Sequence, residues 1–188
     1  MLPGIKVDTG AKPLAGHPGE TVTEGLDGLR ERCEEYFNMG ARFAKWRAVI
    51  SISENCPSAA SVSTNSHALA RYASICQEQG LVPIIEPEVL MDGDHSIMEC
   101  FKVTSEVLKA VYSECRIQGV VLSGTILKPN MVLPGKESRG ALADEVAKLT
   151  CEALQQNVPK DVAGIAFLSG GQSLSLIHIS EPTRRIEI

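Results

Sequence analysis

The chain has 188 residues, of which 44% are hydrophobic and 22% charged, the composition of a globular protein with one large core. Its 18 basic and 23 acidic side chains give a formal charge of −5 without a basic block, so neither nucleic acid nor an anionic membrane surface is an expected partner. No apolar run approaches the length of a membrane span, and no charged-then-apolar signal opens the chain.

The six cysteines and four histidines form no metal-binding pattern. No Cys-x-x-Cys pair is present, and several cysteines fall on the apolar stripes of predicted helices. We therefore interpret the cysteines as reduced thiols in a cytosol-like compartment. The histidines are scattered, with no two at ligand spacing on one element, so no metal is expected.

Strands and helices are predicted to alternate along the chain. The predicted strands cover residues 4–8, 43–50, 81–89, 119–127 and 164–168, and the predicted helices cover about 23–38, 58–79, 95–118 and 142–157. Residues 9–19, rich in Gly and Pro, are predicted to be a loop. Continuous apolar strands alternating with helices are typical of a parallel sheet in an α/β protein.

A polar residue recurs near the same strand position about every 40 residues, at Lys6, Lys45, Glu86, Lys128 and Ser169. Barrel enzymes collect reactive side chains at the carboxyl ends of several strands. An open nucleotide-binding sheet would instead show a Gly-rich fingerprint after its first strand, and the sequence has none. We therefore expect units of a (β/α)8 TIM barrel.

Lys128 ends an apolar run that Pro129 interrupts, since proline lacks an N–H and pushes the preceding residue toward extended geometry. A solvated side chain is the ordinary explanation of such a lysine. The alternative is an amine nucleophile, which needs partial burial or a neighbouring cation to lose its proton.

The other charged strand residues also have structural explanations. Lys6 and Lys45 could point to solvent, Arg47 and Glu88 could form an ion pair, and Glu86 could accept a backbone hydrogen bond. Because unpaired charges inside a barrel are costly, six charged residues on strands favour one mutually compensated site. The Ser169-Gly170-Gly171 turn offers backbone N–H groups to a phosphate. Together these features predict a phosphorylated, carbonyl-bearing ligand.

Eight motifs resemble the signatures of class I fructose-bisphosphate aldolases, in the family's order and nearly with its spacing. They are Gly4–Asp8, Gly25–Gly28, Phe43–Arg47, Ala70–Ala73, Ile85–Glu88, Asp92–His95, Leu127–Met131 and Phe167–Gln172. The resemblance implies an incomplete TIM barrel, strands three to seven of eight, in a domain over residues 1–173.

This resemblance implies a role for each candidate site residue. Lys128 is the lysine that forms a Schiff base with the substrate ketone, Glu86 moves protons, and Lys45 lies beside it as a cation. The implied binding residues are Lys6 and Arg47 for the substrate and its phosphates, Glu88 for orienting the lysines, and Ser169, Gly170 and Gly171 for the phosphate nearest the ketone. The protonated imine withdraws electrons as zinc does in the metal-dependent class, so no metal or other cofactor is implied.

The resemblance also implies a cytoplasmic parent protein that forms a homotetramer, with a plastid form left open. Three departures stand out: Ser123 replaces a usual glutamate, residues 134–143 differ from the common forms, and the family chain is nearly twice as long. The first two strands, with a catalytic aspartate, and the eighth, with a phosphate-binding arginine, have no counterpart. Residues 174–188 do not match the family and resemble a translated sequencing adapter, so we interpret them as an artefact.

Three hypotheses follow for function. In the first, the parent protein reversibly cleaves fructose 1,6-bisphosphate to dihydroxyacetone phosphate and glyceraldehyde 3-phosphate, in glycolysis and gluconeogenesis. In the second, the chain is a truncated, noncatalytic fragment that keeps the imine lysine without a closed barrel. The third, another lysine-dependent aldolase of sugar phosphates, is disfavoured by the motifs.

Overall fold

The main sheet has five parallel strands. The computed structural model describes residues 1–168, and the strands of this sheet are β1 (Gly4–Lys6), β4 (Phe43–Ile50), β5 (Val82–Val89), β6 (Ile126–Leu127) and β7 (Gly164–Ile165). The remaining elements are a hairpin of β2 (Gly10–Pro13) and β3 (Thr21–Glu24), and the helices α1 (Leu29–Asn38), α2 (Ala59–Glu78), α3 (Ile97–Ile117) and α4 (Ala143–Asn157). Sheet neighbours follow chain order, β1-β4-β5-β6-β7, as in successive βα units.

One face of the sheet is the apolar core. On β4, Ala44, Trp46, Ala48 and Ile50 are at most 1% exposed. The Trp46 ring stacks on Tyr72 of α2 with centroids 5.5 Å apart. The Tyr72 hydroxyl donates to Ala44 O at 2.7 Å and to Ile84 O at 3.2 Å, so it ties α2 to two neighbouring strands.

The opposite face of the same strands carries the charged residues. Successive side chains of a strand alternate between faces, so Lys45 and Arg47 project together from β4, as do Glu86 and Glu88 from β5. The register sets Arg47 opposite Glu86 and Ile85 opposite Leu127. Adjacent strands therefore bring these charges to one region of the sheet.

The predicted helix from residue 23 was wrong at its start. Residues 21–24 form β3, and α1 begins at Leu29, because Gly25 (φ 125°) and Gly28 (φ 62°) adopt left-handed conformations that end any helical path. The predicted loop at residues 9–19 likewise contains β2. The hairpin is held to the sheet by Thr23, whose hydroxyl donates to Arg47 O at 2.8 Å.

The predicted strand over residues 119–127 was also too long. Only Ile126–Leu127 pair with the sheet, and Leu122–Gly124 form a 3-10 turn. The Gln77 amide donates to Val121 O at 2.8 Å and accepts from Val121 N at 3.0 Å, so it occupies backbone groups that a strand would use. The last strand, expected over 164–168, is limited to Gly164–Ile165.

The other predicted elements were confirmed within a few residues. The β4 strand matches its predicted bounds, and Ser58 caps α2. A capping box between Ser96 and Glu99 opens α3, and the Ser96 backbone N–H holds the pKa of the Glu99 carboxyl below its usual range. All six cysteines are unpaired. None of the helices within residues 1–168 is both long and apolar enough to span a membrane.

Candidate active site

A cavity of about 480 Å³ opens beyond the carboxyl ends of β4, β5 and β6. Its wall contains five of the predicted site residues, Lys45, Arg47, Glu86, Glu88 and Lys128. The segments that follow β5 and β6 also line the cavity, with Asp92, Asn130 and Lys136 among their residues. This is the edge at which barrel enzymes place their chemistry.

The centre of the cavity is a carboxylate shared by two lysines. Glu86 is 2% exposed; its Oε2 accepts from Lys45 Nζ at 2.6 Å, and its Oε1 accepts from Lys128 Nζ at 2.7 Å. Lys128 reaches this position because its backbone N–H donates to Ile85 O at 2.8 Å, directly before Glu86. Sheet register therefore builds the cluster from three different strand ends.

This cluster has the parts needed for amine chemistry on a carbonyl. Lys128 and Lys45 are about three-quarters buried, and the amino nitrogen of each contacts the same carboxylate. The carboxylate between them touches both nitrogens, so it can carry a proton to or from either without an intervening water.

Arg47 and Glu88 form a second pair in the cavity wall. Arg47 Nε donates to Glu88 Oε2, and this hydrogen bond raises the pKa of the arginine, which stays charged at any working pH. The resemblance implied that Glu88 orients the lysines; its recorded contact is with Arg47. The guanidinium keeps further N–H donors for an anion.

Lys6 is the strand lysine that does not line this cavity. Its Nζ donates to Asp8 Oδ1 at 2.5 Å. Asp8 is a buried residue that sequence reasoning did not select, and its carboxylate also accepts from Gly10 N at 3.1 Å and Arg47 N at 3.2 Å. The available signal was its position, an acidic residue at the end of the first predicted strand.

Asn130 is a second residue that sequence reasoning missed. It is buried; its Oδ1 accepts from Val89 N at 3.1 Å, and its Nδ2 donates to Thr104 Oγ1 at 3.1 Å. It therefore fixes the chain directly after Lys128 to β5 and α3. The sequence signal that could have identified Asn130 is its position in the Lys-Pro-Asn motif, in which the sequence analysis considered only the lysine and the proline.

The cavity also contains a thiol, Cys100. Burial raises the pKa of this thiol, so it stays protonated near neutral pH and is a poor nucleophile. Within residues 1–168, His, Cys, Asp and Glu side chains nowhere gather in groups of three that could hold a metal. The predicted phosphate cradle, Ser169, Gly170 and Gly171, lies outside the described residues.

A parallel α/β sheet with a lysine–glutamate–lysine cluster at its strand ends defines a barrel-type protein equipped for lysine-imine chemistry. The family model of glycolytic class-I fructose-bisphosphate aldolases matches residues 1–177. The chain belongs to the class-I fructose-bisphosphate aldolase family, which confirms the family predicted from the motifs. The Schiff-base mechanism is general to this family, which is metal-independent.

Several relatives support this membership. The probable fructose-bisphosphate aldolase class 1 of Xanthomonas campestris is 57% identical over 96% of this chain and 55% of its own length. The cytosolic fructose-bisphosphate aldolase 6 of Arabidopsis thaliana is 56% identical over 92% of this chain and 48% of its own. The chain thus spans about half the length of the curated relatives it matches.

A solved structure confirms the fold. The fructose-bisphosphate aldolase of Plasmodium falciparum, crystallised with TRAP and a small-molecule inhibitor, superposes with a TM-score of 0.93 and 46% identity. The match covers 96% of this chain and 53% of that chain. The open five-stranded sheet of residues 1–168 is therefore part of a TIM barrel, as the sequence predicted.

Proposed function

We propose that the whole protein reversibly cleaves fructose 1,6-bisphosphate to dihydroxyacetone phosphate and glyceraldehyde 3-phosphate, and that Lys128 forms the imine. The observation that carries this proposal is the contact of one buried carboxylate, Glu86, with the two amines of Lys45 and Lys128. Family membership supplies the reaction class.

In the proposed reaction, Lys128 passes a proton to Glu86, and the resulting neutral amine attacks the ketone carbon and gives a carbinolamine. The protonated Glu86 returns its proton to the departing hydroxyl, and loss of water leaves a protonated imine and the Glu86 carboxylate. The imine accepts the electron pair of the neighbouring carbon–carbon bond while Glu86 takes the proton of the sugar hydroxyl, which releases the aldehyde. Protonation of the resulting enamine and hydrolysis release dihydroxyacetone phosphate and restore the amine.

The positive wall of the cavity suits a doubly phosphorylated substrate. Arg47 has N–H donors beyond the one used by Glu88, and Lys6 lies on the neighbouring strand β1. We assign Arg47 and Lys6 to substrate and phosphate binding, Glu88 to holding the Arg47 fork, and Ser169, Gly170 and Gly171 to the phosphate nearest the ketone. We assign Lys45 to holding Glu86 in position, as a cation beside it.

We also propose that the whole protein is a cytoplasmic homotetramer without a metal cofactor. This proposal rests on family membership and on relatives whose names place them in the cytosol or cytoplasm, such as those of Arabidopsis thaliana and Pisum sativum.

Borohydride reduction in the presence of dihydroxyacetone phosphate tests the imine. The unmutated chain should acquire one reduced adduct, and Lys128→Met should lose it, because within residues 1–168 Lys128 is the amine that shares a carboxylate with Lys45. Lys109→Met, an exposed lysine on α3 outside the cavity, is the matched control and should label normally. An unlabelled chain, or a fully labelled Lys128→Met variant, would refute the assignment.

A turnover assay distinguishes the hypothesis of an active enzyme from that of a noncatalytic fragment. Aldol cleavage by the 188-residue chain is expected to be very low or nil even where the imine forms, because an open sheet holds its site less firmly than a closed barrel. A coupled assay of triose phosphate release measures it, and a rate near that of full-length relatives would contradict this expectation.

A further inference from the structure

Two prolines interrupt the hydrogen bonding between β5 and β6 beside the cavity. Continued by two residues beyond the pair of Ile85 and Leu127, the β5–β6 register sets Pro87 level with Pro129. Neither proline has an N–H to donate. Within residues 1–168, the last backbone bond of this ladder is therefore the one from Lys128 N to Ile85 O. Backbone pairing alone leaves the chain after the lysine without a link to β5.

The side chain of Asn130 bridges this gap. Its Oδ1 accepts from Val89 N at 3.1 Å, two residues beyond Pro87 on β5. The N–H groups of successive strand residues point to opposite neighbours, and Leu90 N donates to Ile50 O on β4, so the N–H of Val89 points toward β6. The amide oxygen thus takes the place of a backbone acceptor where the prolines end the ladder.

The Asn130 amide is held in a single orientation. The residue is 4% exposed, and its Nδ2 donates to Thr104 Oγ1 on α3 at 3.1 Å and to Met131 O at 3.0 Å. A flipped amide would turn its nitrogen toward the N–H of Val89 and leave buried groups unpaired, which is costly. The end of β6 is therefore fixed relative to β5.

We propose that Asn130 is a positioning residue that holds Lys128 against Glu86 during the imine reaction. The inference rests on the proposed function, since it takes Lys128 as the amine that attacks the ketone. Lys128 Nζ lies 2.7 Å from Glu86 Oε1, close enough for direct proton transfer, and a displacement of the strand end by about 1 Å would open this contact. The bond to Val89 prevents that displacement, because Val89 and Glu86 lie on the same strand.

The rate of borohydride-trapped labelling with dihydroxyacetone phosphate tests this role. Asn130→Ala should lower the rate constant about tenfold, since a misplacement of about 1 Å can cost up to about 100-fold. Asn65→Ala is the matched control: the buried Asn65 amide also accepts from one backbone N–H and donates to two oxygens, outside the cavity. It should label at the unmutated rate, and Trp46 fluorescence checks that each variant is folded. An unchanged rate in Asn130→Ala, or equal losses in both variants, overturns the proposal.

The Glu86→Gln background distinguishes positioning from a general loss of structure. If Asn130 acts by keeping Lys128 at Glu86, the two changes remove the same interaction. Asn130→Ala should then slow labelling by less than about twofold in the Glu86→Gln background. A further tenfold loss in that background would show that the two residues act independently and would overturn the proposal.

Thr104→Val keeps the test decisive where Asn130→Ala does not fold. This change removes the bond to α3 and leaves the bond from Val89 N to Asn130 Oδ1. Labelling should therefore stay within about twofold of the unmutated rate. A tenfold loss would show that the link to α3 positions Lys128, which contradicts the role of the β5 bond.

Amide hydrogen exchange followed by NMR tests the bridge without any reaction. In Asn130→Ala the Val89 amide should exchange at least about tenfold faster, while the Leu90 amide, bonded to Ile50 O, should be unchanged. Unchanged exchange at Val89, or equal acceleration at both amides, overturns the proposal. Failure of the unmutated chain to label refutes the proposed function, while exchange still decides whether Asn130 holds β5.

Discussion

Glu86 is the residue on which the candidate site depends most. It is buried, and each of its two carboxylate oxygens contacts a different lysine. A buried carboxylate is tolerated when it is paired and hydrogen-bonded, and here the pairing also aims both amines at one cavity.

Replacing Glu86 by glutamine tests the role of its charge, because the amide has nearly the same size and shape as the carboxylate. In Glu86→Gln, proton transfer to and from the Lys128 nitrogen loses its carrier, and imine formation should slow about 100-fold. The measurement is the rate of borohydride-trapped labelling with dihydroxyacetone phosphate.

Glu106→Gln, an exposed glutamate on α3, is the control and should label at the unmutated rate. A Glu86→Gln variant that labels within about twofold of the unmutated chain would show that Glu86 has a structural role alone.

The sequence predicted these residues but not their contacts. Lys45, Glu86 and Lys128 could be found because charged residues at strand ends recur along the chain. That one carboxylate serves both lysines follows from the β4–β5 and β5–β6 registers, which no local pattern specifies. Asp8 and Asn130 were missed because each accepts a hydrogen bond from a backbone N–H remote in sequence, of Arg47 and Val89 respectively.

At the scale of elements, α2 holds the two central strands together. The buried hydroxyl of Tyr72 donates to carbonyls of both β4 and β5, and burial raises the pKa of this phenol well above its usual value. The helix therefore contributes directed hydrogen bonds as well as apolar packing to the sheet that carries the site.

Tyr72→Phe should lower the free energy of unfolding by about 1.5 kcal/mol, because two buried carbonyls lose a donor. Tyr112→Phe is the matched control: this hydroxyl is buried on α3 and has no hydrogen-bond partner among residues 1–168. Removing the Tyr112 hydroxyl should change the free energy of unfolding by less than about 0.5 kcal/mol, or raise it slightly. Urea titration monitored by Trp46 fluorescence measures the free energy of unfolding of both variants. Equal losses of stability in Tyr72→Phe and Tyr112→Phe would contradict this account of Tyr72.

The long elements were predictable and the short ones were not. Helices α2 and α3 and strands β4 and β5 have strong apolar periodicity, so their predicted bounds came within a few residues of the observed ones. The β2–β3 hairpin and the 3-10 turn depend on contacts from elsewhere, Asn65 to Thr23 and Gln77 to Val121. Such tertiary contacts override local propensity.

At the scale of the whole molecule, the described sheet has two open edges, at β1 and β7. Unpaired backbone groups on an edge strand are a template for pairing with another chain. Ile165 on β7 adds an exposed apolar side chain to such an edge.

The chain should therefore self-associate as its concentration rises, and Ile165→Lys should reduce this, because a charged side chain on an edge strand opposes pairing. Val121→Lys is the control, since Val121 is also exposed but lies outside the strands. Sedimentation velocity over a concentration series measures the effect. Equal behaviour of the two variants would show that association does not use the β7 edge.

The central claim, that Lys128 is the imine-forming residue, is tested most directly by locating the borohydride-reduced adduct of dihydroxyacetone phosphate by peptide mass spectrometry. Trypsin does not cut before Pro129, so Lys128 falls within the peptide of residues 117–136, whereas Lys45 falls within 43–47. We expect the added mass in the 117–136 peptide, at Lys128. An adduct confined to the 43–47 peptide, or no adduct at all, would contradict the assignment.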